Sequence, residues 1–450
     1  MNGRFRRRGL LWAGAITAAV LVCQGAAAAY KDDIGYTALA SELGSSLPTG
    51  SNVPVTQVEA QSGNDYMPDT NDVEFAGKTF FNATGNSSGA VPHATDVGHY
   101  LYGTNSSIAP AIDSIRVYSA SNWYNSGFLN SNNPGGGPSN ETGRIQNHSW
   151  IGNGFSNSLR RLDYAVDRDG FVAVAGLDNS SLTPIPALMS HAYNIITVGR
   201  TDGEHSRGAT TFDAAGRIRP DIVVPVAPGS LAVPVVSGAA AMLIEKASGS
   251  AALTNAAKPQ CVKAILLAGA TKDQFPAWDR TAARPLDAVY GAGQLNIYNS
   301  YGVLAAGQQA ASATSLVGRS GWDFVGIPQG TSAWWFVEVP ESNVMTRLSV
   351  AAVWHRQVTS SNPVPFLPIP FVPDFDIFLH SASNFTIGPV LDSSTSKVDN
   401  VEHIYRRYLP AGRYALEVRA VNANTNCAIA WYSRTSVVPP FTNVSMAASS

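Results

Sequence analysis

Hydrophobic and polar positions follow one pattern in the first two thirds of the chain. Short apolar runs, typical of buried strands, alternate there with stretches of helical spacing; the runs lie at 55–60, 114–120, 144–150, 170–176, 194–200 and 221–227. Between two of these runs, Leu159, Leu162 and Val166 recur at helical spacing opposite charged residues, which predicts an amphipathic helix. Strands that alternate with helices predict an α/β fold: a mostly parallel sheet with helices on both faces.

From about Thr314 onwards the pattern changes to a period of two. The runs SAWWFVEV, RLSVAAVW, DFDIFLHS and RYALEVRA alternate apolar and polar residues between clusters of Pro, Gly, Asn and Ser. This pattern is typical of an antiparallel β-sandwich, in which the proline-rich segment 364–374 is a loop. We therefore predict an α/β domain over 30–308, an all-β sandwich over 309–435 and a flexible tail over 436–450.

The N-terminal segment has the features of a signal peptide. Arginines at positions 4 and 6–8 precede an apolar stretch from Leu10 to Val22, and small residues follow up to Ala29. The apolar stretch is shorter than the roughly 20 residues that a membrane-spanning helix needs. Residues 1–29 are thus predicted to be removed on export, which leaves a secreted or periplasmic chain without a membrane span.

Composition narrows the classes of partner. Only 14% of the 450 residues are charged and the formal net charge is −2, so no basic surface for nucleic acid is expected. Beyond Cys23, the chain has only Cys261 and Cys427, which fall in different predicted domains. A disulfide framework is therefore not expected, and we expect a monomer.

One serine stands at the start of a helix made of small residues. In PGSLAVPVVSGAAAML, Ser230 follows Pro228 and Gly229 and precedes an apolar run. Serine is a favoured helix N-cap, so a purely structural role is one interpretation. The other interpretation is a nucleophile, because free N–H groups and the positive end of a helix dipole stabilise an oxyanion that forms beside them. The stretch by itself fits both.

A nucleophilic serine needs a base, and His93 is the best placed of the eight histidines. It lies in SGAVPHATDVGHYLYG, where a loop with Gly and Pro leads into a predicted helix; the alternative is a surface histidine. His93 and His99 could be proposed as metal ligands, but a separation of six puts them on different helix faces and no metal-binding motif accompanies them. No metal site is predicted.

The base in turn needs a carboxylate that fixes its tautomer. Glu59 ends the first predicted strand, where a buried strand would otherwise stay apolar. The alternative interpretation is the solvated end of an edge strand. Other candidate acids lie in loops or beside the histidine, at Asp65, Asp69, Asp72 and Asp96.

The order Glu59, His93, Ser230, ending in SLAVPVVSGAAAML, resembles that of the subtilisin-like serine peptidases over residues 53–301. The segments NHSWIG, IITVGRTDG, RIRPDIVVP and VKAILLAGATK resemble that family in the same order. The resemblance implies a secreted serine endopeptidase that cleaves protein or peptide substrates through an acyl-enzyme. In it, Ser230 is the nucleophile, His93 the general base and Glu59 the acid, where the family has Asp.

The resemblance also implies a place for the oxyanion and for the substrate. The family's oxyanion asparagine corresponds to Leu177, which cannot donate a hydrogen bond. Either Asn179, two residues later, supplies the donor beside the Ser230 N–H, or the Ser230 N–H acts with another donor. An extended substrate would pair along Ser149, Trp150 and Gly152.

These departures leave an alternative open: a catalytically weak or inactive subtilisin-like scaffold that acts as a surface binding or adhesion protein. A serine esterase or lipase would require a GxSxG elbow, which is absent around Ser230. The C-terminal sandwich resembles the jelly-roll domains that follow secreted bacterial peptidases. Asp374 and Asp376 there are too few carboxylates for a calcium ion, so we expect no cofactor.

Overall fold

The computed structural model describes residues 29–437 except 88, 134, 153, 214, 361–365, 367–368 and 423. The predicted signal peptide, apart from its last residue, and the tail beyond residue 437 lie outside the described residues, and so does part of the proline-rich loop. Both predicted folded parts of the chain are described.

The first part is built on a seven-stranded sheet whose paired strands are all parallel. Its strands are β1 Val55–Glu59, β2 Thr79–Asn82, β3 Ser114–Ser119, β4 Ile145–His148, β5 Val172–Gly176, β6 Ile196–Arg200 and β9 Ile222–Val224, in the order β2-β3-β1-β4-β5-β6-β9. Each predicted apolar run contains one of these strands. The strand of this seven-stranded sheet that the sequence pattern missed is β2, a short edge strand with mostly exposed side chains. A separate two-stranded pair joins β7 Gly208–Ala209 to β8 Ile218–Arg219.

Helices cover both faces of this sheet. They are α1 Tyr36–Leu43, α2 Pro92–Tyr102, α3 Ser156–Asp169, α4 Gly229–Ser248, α5 Pro259–Gly269 and α6 Ile297–Ala305, besides shorter helical turns. The predicted amphipathic helix is α3, whose Leu159 and Leu162 pack with Val58 on one face of the sheet. On the other face Val233 of α4 packs in one core with Val174. The predicted α/β class is confirmed.

Helix α4 is the core helix of this part. Among the described residues it is the one helix long and apolar enough to cross a membrane, but most of it is buried inside the fold, so it is not a span. The Ser237 hydroxyl donates to Asn147 Oδ1 on β4 at 2.9 Å. A Cβ added at Gly176, the last residue of β5, would lie 3.0 Å from Val233 Cγ2. Val233 lies nearer the start of α4 than Ser237 does, and it packs against the last residue of β5. Helix α4 therefore begins at the carboxyl edge of the sheet.

The second part is a sandwich of two four-stranded antiparallel sheets, as predicted. Its strands are β10 Gly321–Ile327, β11 Ser332–Val339, β12 Asn343–Val353, β13 Phe375–Ser383, β14 Thr386–Ser394, β15 Val401–Arg406, β16 Gly412–Ala420 and β17 Thr425–Val437. The sheets have the orders β10-β17-β12-β15 and β11-β16-β13-β14. Successive side chains of a strand point to opposite faces of the sheet. Val350 of β12 therefore packs in the core of the sandwich, and Ala351 packs in the core shared with the α/β part.

A buried charge network joins the two parts. Arg356, which follows β12 and is 1% exposed, contacts Asp163 of α3 and donates to Asp213 Oδ2 at 2.7 Å. The Arg356 main-chain N–H also donates to Asn194 Oδ1 at 2.8 Å, and Asn194 Nδ2 donates back to the Arg356 carbonyl at 2.9 Å. Asp213 is also paired with Arg160 inside the α/β part, whereas both carboxylate partners of Arg356 lie across the interface. Removal of Arg356 would therefore leave the buried Asp163 without its cation.

The two cysteines that remain beyond the predicted signal are both free and buried, Cys261 in α5 and Cys427 in β17. Burial raises the pKa of both thiols above its usual value. They act as small core residues.

Candidate active site

Glu59 lies where the topology of the sheet opens a crevice. Strands β1 and β4 are neighbours in the sheet. The strands that follow β1 in the chain, β2 and β3, lie on one side of this pair, and the strand that follows β4, β5, lies on the other side. In open parallel sheets, ligands bind outside the carboxyl ends of the strands at such a point. Glu59 is the last residue of β1 and therefore lies at the base of this crevice.

The carboxylate of Glu59 holds one ring nitrogen of His93. Helix α2 begins at Pro92, whose fixed φ suits the first position of a helix, so His93 is its second residue. His93 Nδ1 lies 2.9 Å from Glu59 Oε2; the side chain of Glu59 is 0% exposed and that of His93 is 40% exposed. An ionised carboxylate only accepts hydrogen bonds, so Nδ1 carries the proton and Nε2 is left free to act as a base.

The other acids considered from the sequence have different partners. Asp72 pairs with His99 at 3.1 Å, Asp65 Oδ1 accepts from the Gly89 N–H at 2.8 Å, and Asp69 Oδ1 accepts from the Asn71 N–H at 3.0 Å. Asp96 is exposed on α2. Glu59 is thus the carboxylate that the fold brings to His93, and it is not the solvated end of an edge strand.

Burial and pairing shift both pKa values. Removal from water raises the pKa of Glu59, and the hydrogen bonds from His93 and Gln57 oppose that rise. The hydrogen bond to Glu59 raises the pKa of His93, and partial burial of the ring opposes it. The imidazolium form of His93 is therefore stabilised, as a general base requires at the moment when it takes up a proton.

Ser230 is the second residue of α4, and its side chain is half-buried. Residues three and seven positions apart share one side of a helix, so Ser230 extends the row that contains Val233 and Ser237, both of which face the sheet. At 1.5 Å per residue, the row reaches about 10 Å beyond Ser237 toward the carboxyl edge. In the described part of the chain no hydrogen bond joins Ser230 to His93, and such bonds often tighten only when substrate binds.

Asn179 meets the start of the same helix. It lies three residues beyond β5, and its Oδ1 accepts a hydrogen bond from the Gly229 N–H at 2.8 Å. Leu177, which comes between, is buried. This contact brings the exposed Asn179 amide to the residue before Ser230, and within the described residues its NH₂ group makes no hydrogen bond.

The predicted substrate segment follows β4, which ends at His148, earlier than the sequence pattern indicated. Ser149 is 4% exposed and its hydroxyl accepts from Asn147 Nδ2 at 2.9 Å. The Trp150 indole donates to His148 Nδ1 at 3.2 Å, and a Cβ at Gly152 would lie 2.1 Å from the Trp150 ring. A side chain at position 152 would therefore require the Trp150 ring to move, and the Ser149 hydroxyl is engaged inside the protein.

Sequence reasoning missed two members of the site, Gln57 and Tyr102. Gln57 Nε2 donates to Glu59 Oε1 at 3.0 Å, and the Tyr102 hydroxyl donates to Gln57 Oε1 at 2.6 Å. The available signal was a second polar residue in the buried strand VTQVE, two positions before Glu59 and hence on the same face.

Within the described residues, no group of three or more His, Cys, Asp or Glu side chains could hold a metal ion. Asp374 immediately precedes β13 and Asp376 is its second residue. Burial, followed by the charge of Asp374, raises the pKa of Asp376 to about 6.

No protein-family model matches this chain, and no curated protein matches it with significant similarity. The geometry of the site therefore carries the functional conclusion.

Proposed function

We propose that this protein is a serine endopeptidase of the subtilisin-like type, which hydrolyses peptide bonds through an acyl-enzyme on Ser230. The observation that carries the proposal is the pair of Glu59 and His93, a buried carboxylate that holds Nδ1 of a half-exposed imidazole at 2.9 Å. The pair lies at the switch point of a parallel sheet, at the same edge where α4 presents Ser230. Glu59, His93 and Ser230 are the residue types of a base-activated serine nucleophile with an orienting acid.

In the proposed reaction, Ser230 Oγ attacks the carbonyl carbon of the scissile peptide while His93 Nε2 takes the hydroxyl proton. Glu59 holds the tautomer with the proton on Nδ1 and stabilises the imidazolium that forms. The N–H of Ser230 and the NH₂ of Asn179 stabilise the oxyanion. His93 then gives its proton to the leaving amine, and the same base activates the water that releases the acyl group.

The substrates would be proteins or peptides bound in extended form beside Ser149, Trp150 and Gly152. Main-chain hydrogen bonds would hold them there, because the Ser149 hydroxyl is already engaged by Asn147. The signal-like N-terminus supports action outside the cytoplasm by a secreted or periplasmic monomer.

A second candidate is an inactive scaffold of the same type that binds surface partners. Two observations favour it: Asn179 already caps the Gly229 N–H, and in the described chain Ser230 makes no hydrogen bond to His93. Reaction with a fluorophosphonate probe separates the two candidates, because only an activated serine is phosphonylated. We expect one label, located on Ser230 by peptide mapping and absent from Ser230→Ala.

The matched control is Ser237→Ala, which removes a buried hydroxyl from the same helix. This variant should still take up the probe. A folded wild-type protein that takes up no label and leaves casein intact would support the scaffold, whereas hydrolysis of esters but not of proteins would indicate an esterase.

A further inference from the structure

Gln57 is a buried amide whose hydrogen-bonding groups are engaged on both sides. One N–H donates to Glu59 Oε1 at 3.0 Å and the other to the Ala94 carbonyl at 2.9 Å. Its Oε1 accepts from the Tyr102 hydroxyl at 2.6 Å. Gln57, Glu59 and Tyr102 are all 0% exposed, so water does not substitute for any of these partners.

These contacts allow one orientation of the amide. Rotation by half a turn would place Oε1 against two acceptors, Glu59 Oε1 and the Ala94 carbonyl, and would turn the NH₂ group toward the Tyr102 hydroxyl. Burial raises the pKa of Tyr102 well above its usual value, so its hydroxyl keeps the proton that it donates. The two acceptors, Glu59 Oε1 and the Ala94 carbonyl, therefore exclude the flipped amide, and the Tyr102 hydroxyl supports the observed orientation by donating to Gln57 Oε1.

The amide also connects the two parts of the proposed triad. Ala94 follows His93 in the first turn of α2, whereas Glu59 ends β1. By donating to both, Gln57 sets the position of that turn relative to the carboxylate. A glutamate side chain has one more rotatable bond than an aspartate side chain. The two carboxylate oxygens of Glu59 have separate partners, Gln57 at Oε1 and His93 at Oε2.

We propose that Gln57, supported by Tyr102, is a positioning residue that holds the Glu59 carboxylate against Nδ1 of His93. The effect of Gln57 on turnover rests on the proposed peptidase function, but the hydrogen bond between Glu59 and His93 can be measured without activity. The hydrogen bond to Glu59 is the main cause that raises the pKa of His93, so loss of Gln57, which releases the carboxylate from Nδ1, should let that pKa fall.

The test compares two variants, one that removes the amide and one that withdraws it, with a control on the same strand. Gln57→Met together with Tyr102→Phe removes both polar groups, so that no buried hydroxyl is left unpaired. Gln57→Asn keeps an amide but withdraws it by one methylene. The control, Thr56→Val, removes the neighbouring buried hydroxyl, which faces the other side of the sheet and donates to Glu141 Oε1 at 3.2 Å.

The activity-independent measurement is the low-field proton resonance of His93 Nδ1 in protein labelled with ¹⁵N-histidine. It should be present in wild type and Thr56→Val, and broadened or lost in both Gln57 variants. In turnover, these variants should lose roughly 10–100-fold in kcat with little change in KM, as when other outer hydrogen-bond partners are removed. The acid limb of their kcat/KM profile should move to lower pH, because His93 loses the contact that raises its pKa.

An unchanged His93 resonance and an unchanged acid limb in folded Gln57→Asn and in the double variant would overturn the positioning role. If wild type shows no hydrolysis and yet the resonance depends on Gln57, then the positioning role stands and the peptidase function fails.

Discussion

Glu59 and His93 come from elements separated by 34 positions in the chain, yet Oε2 of one lies 2.9 Å from Nδ1 of the other. The extra methylene of glutamate relative to aspartate does not prevent this contact. The other carboxylate oxygen, Oε1, accepts a hydrogen bond from Gln57 Nε2 at 3.0 Å, so both oxygens of the Glu59 carboxylate have a partner.

The first prediction concerns this carboxylate. Glu59→Gln should keep the shape of the site but favour the wrong imidazole tautomer, and kcat should fall by roughly 10³–10⁴ with a much smaller change in KM. Glu59→Asp should keep partial activity, because the charge remains while the reach shortens by one methylene. Steady-state kinetics on a short peptide measures both, and activity of Glu59→Gln within a few-fold of wild type would remove Glu59 from the triad.

The second prediction concerns pH. His93 must be neutral to act as a base, and the hydrogen bond to Glu59 raises its pKa above the usual 6.5. The acid limb of the wild-type kcat/KM profile should therefore lie above pH 6.5, and activity should be lost as the pH falls through it. In Glu59→Gln the residual activity should persist to lower pH, because the main cause of the raised pKa is gone.

The control for this pH effect is Asp96→Asn, which removes an exposed charge that makes a smaller contribution to the raised pKa of His93. It should leave the acid limb close to that of wild type. An acid limb that moves as far in Asp96→Asn as in Glu59→Gln would mean that general charge, and not the buried pair, sets the pKa.

The third prediction separates two roles of Asn179, a donor to the oxyanion and a cap on the Gly229 N–H. Asn179→Asp keeps an oxygen that can accept from Gly229 but loses the NH₂ group, whereas Asn179→Ala loses both. If the NH₂ group stabilises the oxyanion, both variants should lose about 10²–10³ in kcat. Only Asn179→Ala should lose the cap, which is worth about 1 kcal/mol in thermal unfolding. Full activity of Asn179→Asp would leave Asn179 with the capping role alone.

The fourth prediction concerns the interface between the two parts of the chain. Arg356→Met leaves Asp163, which is 0% exposed, without its buried cation, and should lower the free energy of unfolding by about 3–5 kcal/mol. Arg434→Met removes an exposed arginine of the sandwich and should change stability by less than about 1 kcal/mol. Denaturant titration compares them, and equal midpoints for the two variants would show that the network contributes little.

The pattern of the sequence was sufficient to predict six of the seven strands of the main sheet, the amphipathic helix α3 and the antiparallel sandwich. Buried strands and one-sided helices leave a local period in the chain, and this period does not depend on which elements become neighbours. The same reasoning missed β2, because an exposed edge strand buries too little apolar surface to leave that period.

The candidate residues Glu59, His93 and Ser230 were also predicted from the sequence, from residue type, position at the end of an element and order along the chain. The hydrogen bond that pairs Glu59, and none of the other four candidate acids, with His93 is visible only in the tertiary structure, because it depends on where β1 and α2 meet. The tertiary structure likewise brought Tyr102 to Gln57, 45 positions away, and Arg356 to Asp163. Each of these contacts requires two polar atoms from distant parts of the chain to lie within about 3 Å of each other. Such positions are set by the packing of whole helices and strands, which leaves no local pattern in the sequence.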